Sequence, residues 1–402
     1  MKKVTVIIPY RNEVAYLKDC VQSVPREVAD VLIVPDCQGE PVPEEIADLD
    51  HVTVMPVPEG TEQKGVAWCR NQGMKAAVTE YVYFLDCDDY VIGGSLEKML
   101  SCAEEMNASL VTGNITKSWY SPINFEANEK MWESEIVNTC PLGNVVKERF
   151  ATMFSANHLL LRKKVIEEKQ ISFSETTVRY SDFSFVVALL RETMDEAFVV
   201  GEATYVSRLR NDMIHLPALS QQENGESGKE FLACYDDAMK EAEGNGDLVE
   251  LLHKHLVDYV VTRFPKIVTF SVVPEYRKRL ASIANAKAYV AKENVFRRMQ
   301  LRCIRNGHYK LAKRMTQANT LWTKKEGRFG SKIQWYRILE HFIFKKMPIK
   351  KNWILFESFF GKSYSDSPKY LYEYLQKNYG DKYRYIWILN GKSQSLEKTG
   401  RH

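Results

Sequence analysis

The sequence predicts an α/β fold: a mostly parallel β-sheet with helices on both faces, followed by a basic α-helical region and a partial α/β segment. Short β-rich runs alternate with helical stretches through the first ninety residues, which is typical of such a sheet. Polar residues follow directly after three of these runs, and a new strand–helix–strand pattern begins after residue 350. A chain of 402 residues is long enough for two or three domains with cores of their own.

The elements of the first ninety residues are predicted from the spacing of apolar side chains. Runs rich in Val, Ile and Tyr predict buried strands, and apolar residues at helical spacing predict helices between them. The predicted strands are 4–8, 31–34, 52–55 and 81–85, and the predicted helices are 13–24 and 65–78. Ligands of parallel sheets bind beyond the carboxyl ends of the strands. We therefore expect a binding site near Asn12, Asp36 and the run 86–89, which follow three of these strands.

The pattern after residue 90 is mixed, and it divides the chain into parts. It predicts helix 95–106, strand 109–113, helix 181–191 and a strand within 198–209. A polar, glycine-bearing stretch at 221–228 marks a boundary. We predict three parts: an α/β domain over 1–225, a helical and strongly basic region over 226–350, and a partial α/β segment over 351–402.

Composition excludes several classes of protein. The chain is 45% hydrophobic and has no bias typical of disordered or collagen-like proteins. Its first residues lack the long apolar core of a signal peptide, and no apolar run approaches the roughly 20 residues that span a bilayer. The eight cysteines are scattered, without the spacing of a metal finger. These features favour a reduced, cytoplasmic chain.

The net charge of +3 conceals a basic block at 276–351, which holds 21 Lys or Arg and three acidic residues. Such a block indicates a polyanionic partner. Aromatic residues such as Trp322 and Trp335 interleave with the cations, which suits the interface of an anionic membrane. We therefore expect an anionic membrane surface as a partner, with a solvated helical linker as the alternative. No nucleic acid is expected, because no recognition motif accompanies the charge.

Three carboxylates, Asp86, Asp88 and Asp89, follow the apolar run 81–85. Carboxylates this close repel one another unless a cation lies beside them, and a hard divalent ion is the usual solution. Such an ion completes its coordination with water and substrate phosphates, an arrangement that stabilises a nucleoside diphosphate as a leaving group. The alternative is a solvated acidic turn.

Four ordered motifs resemble one enzyme family. They are Ile-Ile-Pro-Tyr-Arg-Asn-Glu at 7–13, Val-Pro-Asp-Cys at 34–37, Gly-Val-Ala-Trp-Cys-Arg-Asn-Gln-Gly at 65–73 and Tyr-Phe-Leu-Asp-Cys-Asp-Asp at 83–89. Residues 1 to about 220 thus resemble the family-two inverting glycosyltransferases with the GT-A fold. The sequence departs from the family in two places, since Arg11 stands where an aromatic residue is usual and 35–38 lacks the usual acidic doublet and glycine.

The resemblance implies a nucleotide pocket beyond the first two strands. Asp36 would accept a hydrogen bond from the uracil N–H, while Pro9 and Tyr10 would line the base pocket. Asn12 and Glu13 would shape the turn beside the nucleotide. For Asp36 a turn-forming role after a strand is the alternative.

The resemblance also implies the groups that hold the diphosphate and the sugar. Asp86 would contact the ribose or the donor sugar, and Asp88 would ligate Mn²⁺ or Mg²⁺. Arg70 would lie near the diphosphate or the sugar, a role that suits a planar guanidinium. A structural salt bridge from Arg70 to one of the aspartates is the alternative.

Inverting transfer needs one general base for the acceptor hydroxyl. In the family this base is an acid in a Glu-Asp pair, and here Ser181 and Asp182 occupy the matching positions. We predict Asp182 as the base, with helix capping as its alternative role and Glu175 as the second candidate. Weaker candidates for site residues are His158, His215, Arg208, Arg210 and Asp212.

A second resemblance covers residues 352–392. The stretch 353–371 resembles the beginning of the CDP-glycerol polyol phosphotransferases of wall teichoic acid synthesis. A complete domain of that kind needs several hundred more residues, so phosphotransferase activity is not assigned to this chain.

The sequence therefore predicts a metal-dependent inverting glycosyltransferase that uses a UDP-sugar. The expected acceptor is a hydroxyl of a cell-surface polysaccharide or a teichoic-acid-like intermediate, lipid-linked or a polyol-phosphate chain. The expected location is cytoplasmic, peripheral at the inner face of the cell membrane. Two alternatives stay open: a fragment of a CDP-glycerol-type phosphotransferase, and a non-catalytic module that binds polymer or membrane.

Overall fold

A computed structural model of the chain divides it into two compact units, Met1–Thr320 and Leu321–His402. The structure describes residues 2–118, 122, 138–146, 150, 154–209, 225–263, 273–283, 285–290, 294–323, 339–340, 343, 345, 347–348, 350–359 and 364–389.

The first unit is an α/β fold, which confirms the predicted class. Its strands are β1 Val4–Tyr10, β2 Ala29–Pro35, β3 Val52–Val54, β4 Tyr81–Phe84, β5 Tyr90–Val91, β6 Leu110–Ser118, β7 Cys140–Pro141, β8 Leu159–Arg162 and β9 Ala197–Arg208. Its helices are α1 Val14–Gln22, α2 Glu44–Ala47, α3 Val66–Ala76, α4 Ser95–Glu105, α5 Lys163–Lys169, α6 Asp182–Thr193, α7 Gly225–Glu241, α8 Gly246–Arg263, α9 Val273–Ser282, α10 Val295–Arg305 and α11 Tyr309–Thr323.

The described strands of this unit form one mixed sheet. Its order is β3-β2-β1-β4-β8-β6-β9-β5, and β7 pairs with β9. The first four strands in this order are parallel, whereas β8 pairs antiparallel with both β4 and β6. Because β1, β2 and β4 are parallel neighbours, the segments that follow them meet at one edge of the sheet.

Both faces of the sheet are covered, which explains why β1 is buried at all seven residues. Successive side chains of a strand point to opposite faces. Val6 and Ile8 lie in the core cluster that includes α1 and α4, whereas Ile7 lies in the cluster of the other face. Helix α3 packs very close to this second face: a Cβ added at Gly73 would lie 2.4 Å from Cγ2 of Ile7. Only glycine fits that approach without a shift of the helix.

Helices α7 to α10, and α11 up to Thr320, belong to the first unit. Phe231 of α7, Leu256 of α8 and Ile304 of α10 are almost completely buried in the same cluster as Ile7 and the helix α6. The sequence-based boundary at 225 therefore falls inside one continuous core. The reason is that these helices pack against α6 and against one another, while α6 itself packs on the sheet through Phe185 and Phe84.

The second unit contains a small parallel pair of strands. Strands β10 Trp353–Phe356 and β11 Arg384–Trp387 pair in parallel, and helix α12 Asp366–Tyr379 connects them. This is the strand–helix–strand pattern predicted for the segment. Over the part of the chain that the structure describes, no helix is long and apolar enough to cross a bilayer.

Candidate active site

Asp36 lies at the end of β2 and is 4% exposed. Its backbone N–H donates to the carbonyl of Tyr10 at 2.9 Å, which links the ends of β2 and β1. Its Oδ1 accepts hydrogen bonds from the backbone N–H groups of Lys64, at 2.9 Å, and Gly65. Oδ2 accepts no hydrogen bond from the described residues and lies 4.0 Å from Nε of Arg11. Asp36 thus organises the turn before α3 with one oxygen and keeps the other near an exposed cation.

The two residues that end β1 are buried. The hydroxyl of Tyr10 donates to the carbonyl of Pro41 at 2.8 Å, and burial raises the pKa of Tyr10 to about 12. Pro9 and Tyr10 pair with Val34 and Pro35, the two residues before Asp36, and the next side chain, Arg11, is exposed.

The turn that follows β1 reaches across to the other strand ends. Asn12 has a left-handed backbone with φ 51°, and its N–H donates to Oε2 of Glu40 at 2.9 Å. The carbonyl of Glu13 accepts from Tyr16 N at 3.0 Å and so begins α1. The carboxylate of Glu13 accepts from Sγ of Cys87 at 2.7 Å, which connects this turn to the acidic run.

Arg70 forms ion pairs with Asp86 of the acidic run and with Asp182, the predicted base. This buried guanidinium, on α3, donates from Nη2 to Oδ1 of Asp86 at 2.8 Å and from Nη1 to Oδ1 of Asp182 at 2.6 Å. Nη2 also reaches Oδ1 of Asn157 at 2.8 Å, and Asn157 Nδ2 donates to the second oxygen of Asp86 at 2.7 Å. Burial works to lower the pKa of Arg70, but the charges of Asp182 and Asp86 outweigh it and the pKa is raised. The salt bridge that was the alternative role of Arg70 is present, to two aspartates rather than one, and its role near the diphosphate or the sugar stays a prediction.

Asp182 is the first residue of α6, and its carboxylate does not bond to N–H groups of that helix. Oδ1 accepts from Arg70, and Oδ2 accepts from the backbone N–H of Ala156 at 2.9 Å. The side chain of Ser181 makes no capping hydrogen bond. About a fifth of the Asp182 side chain, 19%, stays exposed to solvent.

A second network fixes the acidic run. The hydroxyl of Tyr205 accepts from the N–H of Asp86 at 3.3 Å and donates to Oδ2 of Asp89 at 2.6 Å, while Arg208 N donates to Oδ1 of Asp89 at 2.7 Å. Burial, together with the charges of Asp88 and Asp86, raises the pKa of Asp89 well above its usual value. Full negative charge on the run is therefore unfavourable unless a cation lies beside it.

The residues of the run fit a metal ion that is held largely by substrate. Both oxygens of Asp86 and both of Asp89 accept hydrogen bonds from protein donors, so the two carboxylates on either side of Asp88 are fixed in place. Across the described residues, no group of three or more His, Cys, Asp or Glu could form a metal cage. Mg²⁺ commonly binds through one or two carboxylates plus phosphates and water, which is compatible with this set.

Arg208 is buried rather than a surface charge. Its side chain is 7% exposed, and Nη1 donates to Oδ2 of Asp19 at 2.9 Å. Its guanidinium carbon lies 5.2 Å from the ring centre of Tyr16 and 5.1 Å from that of Tyr90. The weaker candidates His215, Arg210 and Asp212 lie outside the described residues.

Glu175 is held by the residue next to Arg70. Asn71 donates from Nδ2 to Oε1 of Glu175 at 2.7 Å and exchanges two hydrogen bonds with the backbone of Phe173. Adjacent residues of α3 thus hold the two candidate bases separately. His158 is fully buried, and its Nδ1 pairs with the hydroxyl of Tyr83 at 2.6 Å, so it belongs to the support of the sheet.

Comparison with known proteins identifies both parts of the chain. Residues 5–168 match the model of glycosyl transferase family 2, and residues 339–402 match that of the CDP-glycerol:poly(glycerophosphate) glycerophosphotransferases. The N-terminal part of the chain is thus similar to glycosyl transferase family 2. Both sequence resemblances are thereby confirmed, and the second match begins before residue 352.

Individual relatives carry teichoic acid names. A teichoic acid poly(glycerol phosphate) polymerase of Staphylococcus epidermidis is 24% identical over 98% of this chain, and the chain spans 55% of that protein's length. Crystal structures of S. aureus TarS 1–349, in complex with UDP and with UDP-GlcNAc, each align at 16% identity over 79% of this chain. The alignments cover 91% and 92% of the TarS 1–349 chains, with TM-scores of 0.57 and 0.56. At this identity the likeness to TarS shows the GT-A fold of the glycosyltransferase domain.

Proposed function

We propose that the glycosyltransferase domain transfers a sugar from a UDP-sugar to a hydroxyl of a cell-surface polysaccharide or teichoic-acid-like intermediate. The observation that carries this proposal is the convergence of Asp36, the run 86–89 and Asp182 at one edge of a family 2 sheet. The GT-A fold supports a sugar-nucleotide donor, and the structures of TarS with UDP and UDP-GlcNAc favour uracil as its base.

The proposed donor site uses the three strand ends. Asp36 would accept the base N–H with one oxygen, and Asp86 would contact the ribose or the sugar. Mn²⁺ or Mg²⁺ at Asp88 would neutralise the diphosphate and help it to leave. The protein positions the acidic run through hydrogen bonds. Tyr205 and the backbone N–H of Arg208 donate to Asp89, and Arg70 donates to Asp86.

The proposed chemistry is a single displacement. Asp182 accepts the proton of the acceptor hydroxyl while that oxygen attacks the anomeric carbon. The bond from the anomeric carbon to the diphosphate oxygen breaks in the same step, UDP leaves, and the anomeric configuration inverts. Because Arg70 bonds to both Asp182 and Asp86, one guanidinium sets the distance between the base and the donor.

The proposed acceptor is a polyol-phosphate or lipid-linked chain, reached at the cytoplasmic side of an anionic membrane. The name of the S. epidermidis relative, the C-terminal match and the basic segment 276–351 support this choice. The chain spans about half of that relative, so the acceptor is part of the proposal.

The identity of the donor nucleotide is tested by measuring the thermal stability of the protein with UDP, GDP, CDP and dTDP compounds. Each compound is added with and without Mn²⁺. A ligand at 100 times its Kd adds about 2.7 kcal/mol of stability, which is a readable shift. We expect a Mn²⁺-dependent shift with UDP compounds that is lost in Asp36→Ala and Asp88→Asn. The surface variant Asp48→Asn is the matched control and should keep it.

Turnover then tests the base. With a UDP-sugar and a polyol-phosphate acceptor, Asp182→Asn should keep the UDP shift but release UDP at least about a hundredfold more slowly. Full activity in Asp182→Asn would show that another group is the base, and Glu175 is the next candidate. A thermal shift with CDP compounds alone would contradict the UDP-sugar donor and indicate a CDP-linked polyol instead.

A further inference from the structure

Helices α10 and α11 are two consecutive helices joined by the tight turn 306–308. The turn closes α10 with two hydrogen bonds, from Gly307 N to the carbonyl of Ile304 at 3.0 Å and from His308 N to that of Cys303 at 2.8 Å. Gly307 has φ 78°, the left-handed conformation that this type of helix end requires. The turn leaves both helices in fixed orientations on the first unit.

The inner sides of the two helices are part of the core. Leu301 and Ile304 of α10 and Ala312 of α11 are completely buried. Because residues three and four apart share one side of a helix, this burial determines which side chains face outward.

The outer sides combine exposed apolar residues with cations. On α10, Val295 is 58% and Met299 45% exposed, and Arg298 and Arg302 lie on the same side of the helix. On α11, Leu311 is 43% exposed. Its exposed cationic neighbours on that helix are Lys310, Lys313 and Arg314.

The stretch that carries these cations contains no acidic residue of its own. The stretch 294–323 contains seven Lys or Arg and neither Asp nor Glu. Within the described part of the chain, Arg298, Arg302, Lys310, Lys313 and Arg314 form no salt bridge. Cations of surface helices are commonly interspersed with acids, so an unbalanced set of this size indicates an anionic partner.

We propose that the outer faces of α10 and α11 dock the protein onto an anionic lipid bilayer. The cations contact lipid phosphates, and Val295, Met299 and Leu311 enter the boundary between headgroups and acyl chains. The exposed apolar residues favour a bilayer over a soluble polyanion, which would offer them no apolar environment. This surface specifies how the protein meets the membrane of the proposed function, but it does not depend on sugar transfer.

Vesicle co-sedimentation of the full chain, without any donor, tests the surface. The wild type should bind phosphatidylglycerol vesicles and not phosphatidylcholine vesicles, and added salt should weaken the binding. Each cation near an anionic surface contributes about a fivefold factor in affinity. The fourfold variant Arg298→Glu, Arg302→Glu, Lys310→Glu, Arg314→Glu should therefore bind about a hundredfold more weakly or worse.

A matched control reverses four exposed cations elsewhere: Arg26→Glu, Lys75→Glu, Lys98→Glu and Lys164→Glu. It has the same net charge as the fourfold variant and should keep wild-type binding. The neutral pair Met299→Gln, Leu311→Gln should also lose several-fold in affinity, because the apolar contacts are removed at constant charge.

Three results would overturn the proposal. They are equal losses in the fourfold variant and its control, an unchanged affinity in the Met299→Gln, Leu311→Gln variant, and binding to soluble polyphosphate without binding to vesicles. Unfolding curves of every variant show whether it is folded, and the Met299→Gln, Leu311→Gln pair keeps the test open if charge reversal prevents folding. The Mn²⁺-dependent UDP shift should be the same in all variants, so failure of this surface and failure of the proposed transferase are distinguishable.

Discussion

Arg70 is the residue on which the candidate site depends most. It is 2% exposed and bonds to two carboxylates that come from separate segments of the chain. Removing one partner of a buried ion pair leaves a charge that neither water nor protein compensates, and this typically destabilises more than the pair itself stabilises.

We predict that Arg70→Met lowers the free energy of unfolding by about 3 kcal/mol or more. Urea unfolding at neutral pH measures this. In the double variant Arg70→Met, Asp182→Asn, one of the two uncompensated charges is absent, so part of the loss should be recovered. Strictly additive losses would show that Arg70 and Asp182 do not interact.

Tyr205 is a positioning residue that the sequence did not identify. Its hydroxyl connects the two ends of the acidic run, since it accepts from the N–H of Asp86 and donates to Asp89. Nothing in its strand distinguishes it from other buried tyrosines.

We predict that Tyr205→Phe raises the Mn²⁺ concentration needed for half of the UDP-induced thermal shift by about fivefold or more, because a buried carboxylate loses its donor. The control is Tyr81→Phe, whose hydroxyl accepts from Arg162 Nη2 at 2.9 Å at the other end of β4. An equal increase in the required Mn²⁺ concentration in both variants would show that Tyr205 contributes only to general packing.

At the scale of elements, helix α8 closes an aromatic cluster over α6 and α7. The ring of His255 lies 5.2 Å from that of Phe154, 5.1 Å from that of Phe183 and 5.7 Å from that of Phe231. It is 8% exposed, and Nδ1 has no hydrogen-bond partner among the described residues. Burial lowers the pKa of His255 from 6.5 to about 4.

This pKa makes stability depend on pH with a definite sign. Between pH 6.5 and about 4 the unfolded chain binds a proton at His255 that the folded chain does not. Stability is therefore retained above pH 6.5 and lost as the pH falls through this window, by about 3 kcal/mol in total.

We predict that His255→Phe reduces this loss, while the exposed control His308→Gln keeps the wild-type dependence. Urea unfolding at pH 7 and pH 4.5 measures both variants. The same pH dependence in His255→Phe and in the wild type would assign the effect to other groups.

At the scale of the whole molecule, one core unites the sheet with the helices up to α11. Residues of α7, α8 and α10 share a buried cluster with the sheet strand β1. A chain that ends at 225 would expose the side of α6 that carries Phe183, which is 3% exposed and packs against Phe231 of α7 and His255 of α8.

We predict that residues 1–323 fold cooperatively and keep the Mn²⁺-dependent UDP shift, whereas residues 1–225 do not fold. Circular dichroism during heating, together with the UDP shift, measures both fragments. A cooperative transition in the shorter fragment would show that the sheet carries an independent core.

Local patterns identified the framework of this protein. Strands β1, β2 and β4 were predicted because each is an apolar run that ends at a turn-forming residue, and the four motifs placed the site at their ends. Strands β5, β7 and β8 were not predicted, because runs of two to four residues contain too little periodicity to separate them from a loop or a buried helix segment.

By itself the sequence determined the fold class, the family and the residues that surround the site, since these depend on local periodicity and on motifs of a few adjacent residues. Only the tertiary structure decided the partners of those residues. Arg70 meets Asp182 across 112 positions and Asn157 across 87, and Tyr205 meets Asp89 across 116. The tertiary structure also decided that the basic helices complete the core of the first unit. Local sequence patterns do not predict such contacts. These side chains meet because the sheet and helices pack together, and their spacing along the chain does not indicate this.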